Sequence, residues 1–216
     1  MSTLSDMRRS EHKERTRQAL LAAARETISA QGFAATTARD VAEAAGVAVG
    51  TVFVHFPTMG RLAETLLDET VGQALAQVGD GLPNDDLPND DLPSDDLPSD
   101  DLVDQLLHVS AALYDAYLAD PELSRQVVSG SLFEAEPDGP SSRRMAEFAA
   151  WVGVRVEAAV AAGRIEPVAP PDAFATFFAL YFGVLVLGLR GELDAAGQLD
   201  LLGRQLRRTF RPAVHS

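Results

Sequence analysis

The stretch Thr37 to Phe56, TARDVAEAAGVAVGTVFVHF, decides the fold of the N-terminal part of the chain. Its first four residues match a capping box, in which the Thr37 hydroxyl accepts from the amide of residue 40 and the Asp40 carboxylate accepts from the amide of residue 37. A helix is therefore predicted to begin at Thr37. Gly46 allows a positive φ angle and is predicted to end that helix.

A second short helix is predicted from Ala48 to His55, directly after this turn. The first helix has a small apolar face at helical spacing, formed by Ala38, Val41, Ala42 and Ala45. Two short helices joined by a tight turn that contains glycine are typical of the helix-turn-helix unit, whose second helix enters the major groove of DNA.

Residues 17 to 67 resemble the DNA-binding domain of the TetR family of transcriptional regulators. The matching run is TT-A-RD-VAEAAGV-x-VGT-x-x-x-HFP, preceded by AAARETISAQGF and followed by RLAETLL. The resemblance implies an all-α fold, with an N-terminal three-helix helix-turn-helix domain and a helical domain that binds ligand and dimerises. It also implies a regulator, most often a repressor, that a small-molecule inducer releases from a pseudo-palindromic operator in double-stranded DNA.

The resemblance also implies a set of DNA-contacting residues. Thr51 and Arg39 are expected on phosphate, although a local helix bond and a surface ion pair are the alternatives, and Val49 is expected against a thymine methyl. Ala48, Phe53 and Met59 depart from the family pattern, where Ser or Thr, Tyr and Lys are usual, and Arg61 partly replaces the lysine. The full set is Thr37, Arg39, Ala48, Val49, Gly50, Thr51, Phe53, His55 and Arg61.

The net charge of −14 is distributed unevenly along the chain. Residues 1–61 hold eight Arg or Lys and six Asp or Glu, whereas the remainder carries a net charge of −16. Positive charge therefore lies where a DNA-binding face is predicted. The DNA-binding domain is assigned to 11–79, with its helix-turn-helix at 37–56.

An exact repeat follows, LPNDD twice and LPSDD twice, from Leu82 to Asp101. Prolines at five-residue spacing exclude a helix, and so few apolar groups cannot form a core. Residues 80–101 are therefore predicted to be a disordered acidic linker; a weak cation site or a modulatory acidic segment is the alternative.

Helical periodicity returns over residues 102–211, which are assigned to the ligand-binding and dimerisation domain. Two copies of the last two helices are predicted to form a four-helix seam, because their apolar residues suit a dimer interface. The residues assigned to this seam are Tyr181, Phe182, Leu185, Leu189, Leu202 and Leu206.

Aromatic residues are numerous in the same domain. A cavity that they line would suit a flat, largely apolar ligand, with Trp151 as the first choice for its wall, although each one alone also suits a plain core. Glu134 and Glu136 are candidates for a cationic ligand, or surface acids. The aromatic set is Tyr114, Tyr117, Phe133, Phe148, Trp151, Phe174, Phe177 and Phe178.

No pattern indicates catalysis. The chain has no cysteine, its four histidines lack ligand spacing, and it has no phosphate-binding loop, dinucleotide fingerprint or nucleophile elbow. We expect no enzyme activity, cofactor, metal or membrane association, and a cytoplasmic, nucleoid-associated protein. The alternative function is a helical dimeric scaffold, or a regulator whose DNA binding is weakened at the three departures.

Overall fold

The computed structural model describes residues 4–78, 101–131 and 140–213, and these residues form helices and no strand. The all-α prediction is confirmed. The helices are α1 Leu4–Gln31, α2 Ala38–Ala44, α3 Val49–His55, α4 Met59–Val78, α5 Leu102–Ala119, α6 Pro121–Ser131, α7 Pro140–Ala161, α8 Pro170–Leu189 and α9 Ala195–Thr209. The two helices predicted from Thr37 and from Ala48 to His55 correspond to α2 and α3 within one residue at each predicted end.

The helix-turn-helix forms through the predicted local bonds. Thr37 is the N-cap of α2 and completes the capping box, because its backbone amide donates to the Asp40 carboxylate over 2.8 Å and its hydroxyl accepts from the Asp40 amide. Gly46 has a φ of 67°, so the turn uses the left-handed conformation that favours glycine. The Thr58 hydroxyl accepts from the Arg61 amide and starts α4. Side-chain caps at Thr37 and Thr58 thus begin α2 and α4, and the positive-φ Gly46 forms the turn between α2 and α3.

Helix α4 belongs to two separate hydrophobic cores. Its first half contributes Leu62 and Leu66 to a small core shared with α1, α2 and α3. Its second half contributes Val71 and Leu75 to a larger core shared with α5 and α7–α9. A displacement of this one helix therefore affects both the helix-turn-helix and the C-terminal helices.

The C-terminal helices pack as a bundle in which α5 contacts α4, α7, α8 and α9. Helix α8 is long and apolar enough to cross a membrane by those criteria alone, a test that core helices of soluble proteins also pass. A helix that is apolar all round, as α8 is, favours cover on more than one side. Within the described residues, however, Ala175, Ala179 and Gly183 on its outer side are exposed.

The predicted dimer residues required a correction. Tyr181, Leu185, Leu189, Leu202 and Leu206 are all buried in the larger core of their own chain, and Phe182 is half-buried. Side chains that already pack inside one chain do not form a seam with a second. These five residues therefore belong to the core of one chain, a role that the apolar pattern alone does not distinguish from an outward-facing one.

The acidic linker lies outside the described residues, apart from its last aspartate. Asp101 is the N-cap of α5, where its side chain accepts from the amides of Val103 and Asp104. It also lies 3.7 Å from the Arg207 guanidinium of α9. Asp101, the last residue of the predicted linker, therefore contacts both α5 and α9.

Candidate functional site

Helix α3 presents an apolar face to solvent. Val52 points into the small core, so the residues on the opposite side of the helix are exposed. Val54 is 74% exposed, Phe53 48% and Val49 37%, and Gly50 between them adds no side chain. Large apolar side chains in such positions indicate a surface that contacts another molecule.

Basic residues lie on the neighbouring helices α1 and α2. Arg39 of α2 and Lys13 of α1 are exposed, and neither makes a salt bridge with any described residue. The Arg17 guanidinium lies 5.8 Å from the centre of the Phe56 ring, directly after α3. Partial burial, together with the nearby charges of Lys13 and Arg17, lowers the pKa of His55. This concentration of positive charge suits a polyanion.

The predicted DNA-binding residues differ in their exposure and in their contacts. Exposed residues around α2 and α3 form one surface, and these are Thr37, Arg39, Ala48, Val49, Gly50 and Phe53. Thr51 and His55 are half-buried beside it. Arg61 instead pairs with Glu64 over 2.6 Å, which already engages its guanidinium. Val54 was absent from the predicted set, although its spacing of four residues from Gly50 places both on the same side of the helix.

The departures from the family pattern have a visible structural consequence at Ala48. It is the N-cap of α3 and provides no side-chain hydrogen bond, so the first amides of this helix lack the partner that a serine supplies. Met59 begins α4 and is half-buried.

A second candidate site is a cavity of about 530 Å³ between α4, α5, α6, α7 and α8. Its walls are mostly apolar, with Glu64, Asp68, Ser142 and Arg144 as polar members. The other lining residues are Leu67, Val71, Leu75, Leu113, Tyr117, Val127, Val128, Met145, Phe148, Phe178, Tyr181, Phe182 and Leu185. Its size and character suit a small, largely apolar molecule.

The predicted aromatic residues divide between this cavity and the surrounding core. Tyr117, Phe148 and Phe178 line it, joined by Tyr181 and Phe182, which were assigned to the dimer seam. Tyr114, Trp151, Phe174 and Phe177 do not line it, and Phe133, Glu134 and Glu136 lie outside the described residues. Trp151 is buried with Arg155 3.8 Å from the centre of its ring, so its placement on this wall was wrong.

Tyr117 and Tyr181, two of the residues that line the cavity, carry hydroxyl groups. Neither the Tyr117 nor the Tyr181 hydroxyl bonds to another of the described residues, although the Tyr181 carbonyl accepts from the Tyr114 hydroxyl over 3.1 Å. Burial raises the pKa of both Tyr117 and Tyr181, so both stay protonated at neutral pH. They are available to donate hydrogen bonds to a ligand.

The cavity and the helix-turn-helix are joined through α4 and α6. Asp68 of α4 forms a two-pronged ion pair with Arg144 of α7, with distances of 2.6 and 3.1 Å. At the start of α6, the Glu122 carboxylate accepts from the Ala34 amide over 2.9 Å, in the connection between α1 and α2. Val127 of α6 lines the cavity and packs against both cores. Two sets of contacts, one through α4 and one through α6, therefore connect the cavity walls to α1 and α2.

Among the described residues, no group of three or more His, Cys, Asp or Glu lies close enough to hold a metal ion.

Comparisons with known proteins agree with this architecture. Residues 20–66 match the model for bacterial regulatory proteins of the tetR family. No curated protein matches the chain.

Solved structures share the fold at low sequence identity. A TetR transcriptional regulator from Rhodococcus sp. RHA1 is 19% identical, with a TM-score of 0.60 over 91% of this chain and 96% of that one. RolR in complex with its ligand resorcinol is 16% identical, with a TM-score of 0.61 over 93% of this chain and 90% of that one. These similarities extend the common fold from the N-terminal domain to the C-terminal bundle.

Proposed function

Because residues 20–66 match the model for bacterial regulatory proteins of the tetR family, we propose that this protein is a sequence-specific transcriptional regulator that responds to a small-molecule ligand. The observation that carries the proposal is the α2–α3 unit, with its capping box, its positive-φ glycine and an exposed second helix flanked by Arg39 and Lys13. That geometry presents α3 to a major groove while the basic residues meet phosphates. Regulation of this kind requires no enzyme activity.

The finer role that we propose is that of a repressor. A homodimer reads a pseudo-palindromic operator, with one α3 in each half-site. The uncovered outer side of α8, with Ala175, Ala179 and Gly183, supports self-association, because a second copy would cover it. A protein with this role acts in the cytoplasm, at the nucleoid.

The inducer that we propose is an apolar, flat molecule with one or two hydrogen-bonding groups. Apolar walls and the Tyr117 and Tyr181 hydroxyls support this class. RolR, which shares the fold, was crystallised with the aromatic diol resorcinol. To lower the affinity for DNA tenfold, the ligand must bind the DNA-incompetent state more favourably than the DNA-bound state by about 1.4 kcal/mol.

A second candidate function is a helical scaffold with weakened DNA binding. The observation that favours it is that the N-cap residue of α3, Ala48, makes no side-chain hydrogen bond. One experiment separates the two. The full-length protein is bound to genomic fragments, the recovered duplexes are sequenced, and the affinity for one of them is measured between 50 and 200 mM salt. A regulator selects related, two-fold sequences and loses affinity steeply with salt. Recovery of unrelated fragments would support the scaffold.

A further inference from the structure

The exposed side of α3 has an unusual chemistry for a helix that reads bases. Its outward positions are Val49, Gly50, Phe53 and Val54, and none has a polar side chain. Thr51 and His55 are the polar residues of the helix, and both are half-buried. The most exposed large side chain is Val54, at 74%.

Bases in the major groove are usually distinguished by side chains with two hydrogen-bonding groups, such as Arg on guanine or Asn and Gln on adenine. This α3 contains none of these. The one apolar feature that the major groove offers is the 5-methyl group of thymine. An apolar helix face therefore has thymine as its matching base.

We infer that the protein recognises its operator through thymine methyl groups, which Val49 and Val54 contact from α3, with Phe53 beside them. This inference rests on the proposed function and specifies how that same surface distinguishes sequences. Arg39 and Lys13 hold the helix against the backbone, and phosphate contacts of this kind fix position without reading sequence. The charge around the face, rather than its apolarity alone, selects DNA as its occupant.

The test removes the methyl group and nothing else. A binding sequence is first selected from a random duplex library and then resynthesised with single thymines replaced by deoxyuridine. We expect one or two positions in each half-site to show a loss of about fourfold for each methyl group, the effect of removing one buried carbon from an apolar contact. Replacement outside the half-sites should change affinity less than twofold. If every single replacement stays below twofold, the inference is overturned.

Valine variants assign each methyl group to its side chain. Val54→Ala and Val49→Ala are each measured on the thymine duplex and on its deoxyuridine counterpart. If Val54 contacts a methyl group, its replacement abolishes the difference between the two duplexes at that position and leaves the other positions unchanged. Val154→Ala is the matched control, because Val154 lies on α7 and is 58% exposed. Since Val54 is so exposed, its variant should fold normally, which circular dichroism verifies.

The outcomes separate this inference from the proposed function. Failure to select any preferred duplex overturns the proposed function and the inference with it. Selection of a duplex that tolerates every deoxyuridine leaves the regulator in place and overturns only the methyl contacts. Equal sensitivity to deoxyuridine in the wild type and in both valine variants overturns the assignment to Val49 and Val54.

Discussion

Asp68 and Glu69 are consecutive residues of α4 that pair with opposite parts of the molecule. Asp68 binds Arg144 of α7 beside the cavity, whereas Glu69 binds Arg25 of α1. Successive residues of a helix point about 100° apart, so one turn of α4 faces both α1 and α7. The ion pairs that join α4 to the helix-turn-helix side and to the cavity side therefore lie within a single helical turn.

The first prediction concerns the contribution of the Asp68–Arg144 pair to stability. Both side chains are largely buried and the contact is two-pronged, so Asp68→Asn should lower the free energy of unfolding by about 1 kcal/mol, measured by urea denaturation. Asp200→Asn is the control, because its partner Arg204 lies on the same helix, α9, and both are exposed. That variant should change stability by less than about 0.5 kcal/mol. Equal effects would show that the pair at the cavity has no special role.

The second prediction concerns the missing cap of α3. Ala48→Ser should stabilise the protein by about 0.5–2 kcal/mol, because a serine hydroxyl accepts from an amide of the first turn, and operator affinity should rise with it. Ala169→Ser is a control at the N-cap of α8, which also lacks a side-chain bond; because Pro170 and Pro171 have no N–H, its hydroxyl would accept from the Asp172 amide. The control should raise thermal stability without a change in operator affinity. An equal gain in affinity for both variants would refute the local explanation.

The third prediction concerns Met59 at the start of α4. If this position faces phosphate, Met59→Lys should increase operator affinity and steepen the plot of log affinity against log salt by about one per half-site. Val154→Lys adds the same charge on the exposed surface of α7 and should leave the slope unchanged. An unaltered slope for Met59→Lys would mean that residue 59 does not approach DNA.

Local rules were sufficient to predict the helix-turn-helix. The Thr37–Asp40 capping box, the turn at Gly46 and the Thr58 cap each depend on residues within a few positions, and the structure contains all three. The side of α8 that faces inward depends instead on which other helices cover it. Leu185 and Val186 are equally apolar neighbours, yet only Leu185 is fully buried.

The cavity was predicted only in part for the same reason. Aromatic content indicated that the C-terminal domain contains ring-lined space, and Tyr117, Phe148 and Phe178 do line the cavity. Trp151 does not line it, and its buried ring instead packs against Arg155, four residues further along the same helix. Composition predicts which side chains are available, and the packing of helices decides which of them remain uncovered.

The fourth prediction concerns self-association through α8. Leu185 lines the cavity and is buried, so Leu185→Glu should place an unpaired charge in the core and unfold the C-terminal domain. Gly183 lies on the exposed outer side of α8, so Gly183→Glu should preserve helix content and yield monomers, as measured by sedimentation and circular dichroism. A folded, dimeric Gly183→Glu variant would locate the interface elsewhere.

The last prediction concerns the ligand and uses the single tryptophan. Phe148 lines the cavity, and its ring centre lies 6.0 Å from that of Trp151. A bound molecule that moves Phe148 should therefore alter tryptophan fluorescence although it does not touch Trp151. Aromatic compounds are screened on this signal, and Trp151→Phe should remove the signal while retaining ligand-induced release of the operator.

Tyrosine variants then identify the polar anchor for a compound found in this way. Tyr181→Phe should weaken its binding about fivefold, because one hydrogen bond contributes about 1 kcal/mol. Tyr114→Phe is the control, since the Tyr114 hydroxyl donates to the Tyr181 carbonyl and does not line the cavity. That control should cost stability without loss of ligand affinity. Two results would contradict this cavity as the ligand site. One is that Tyr114→Phe binds the compound more weakly than Tyr181→Phe does, and the other is that Trp151→Phe loses ligand-induced release of the operator. Either result would place the ligand closer to Trp151.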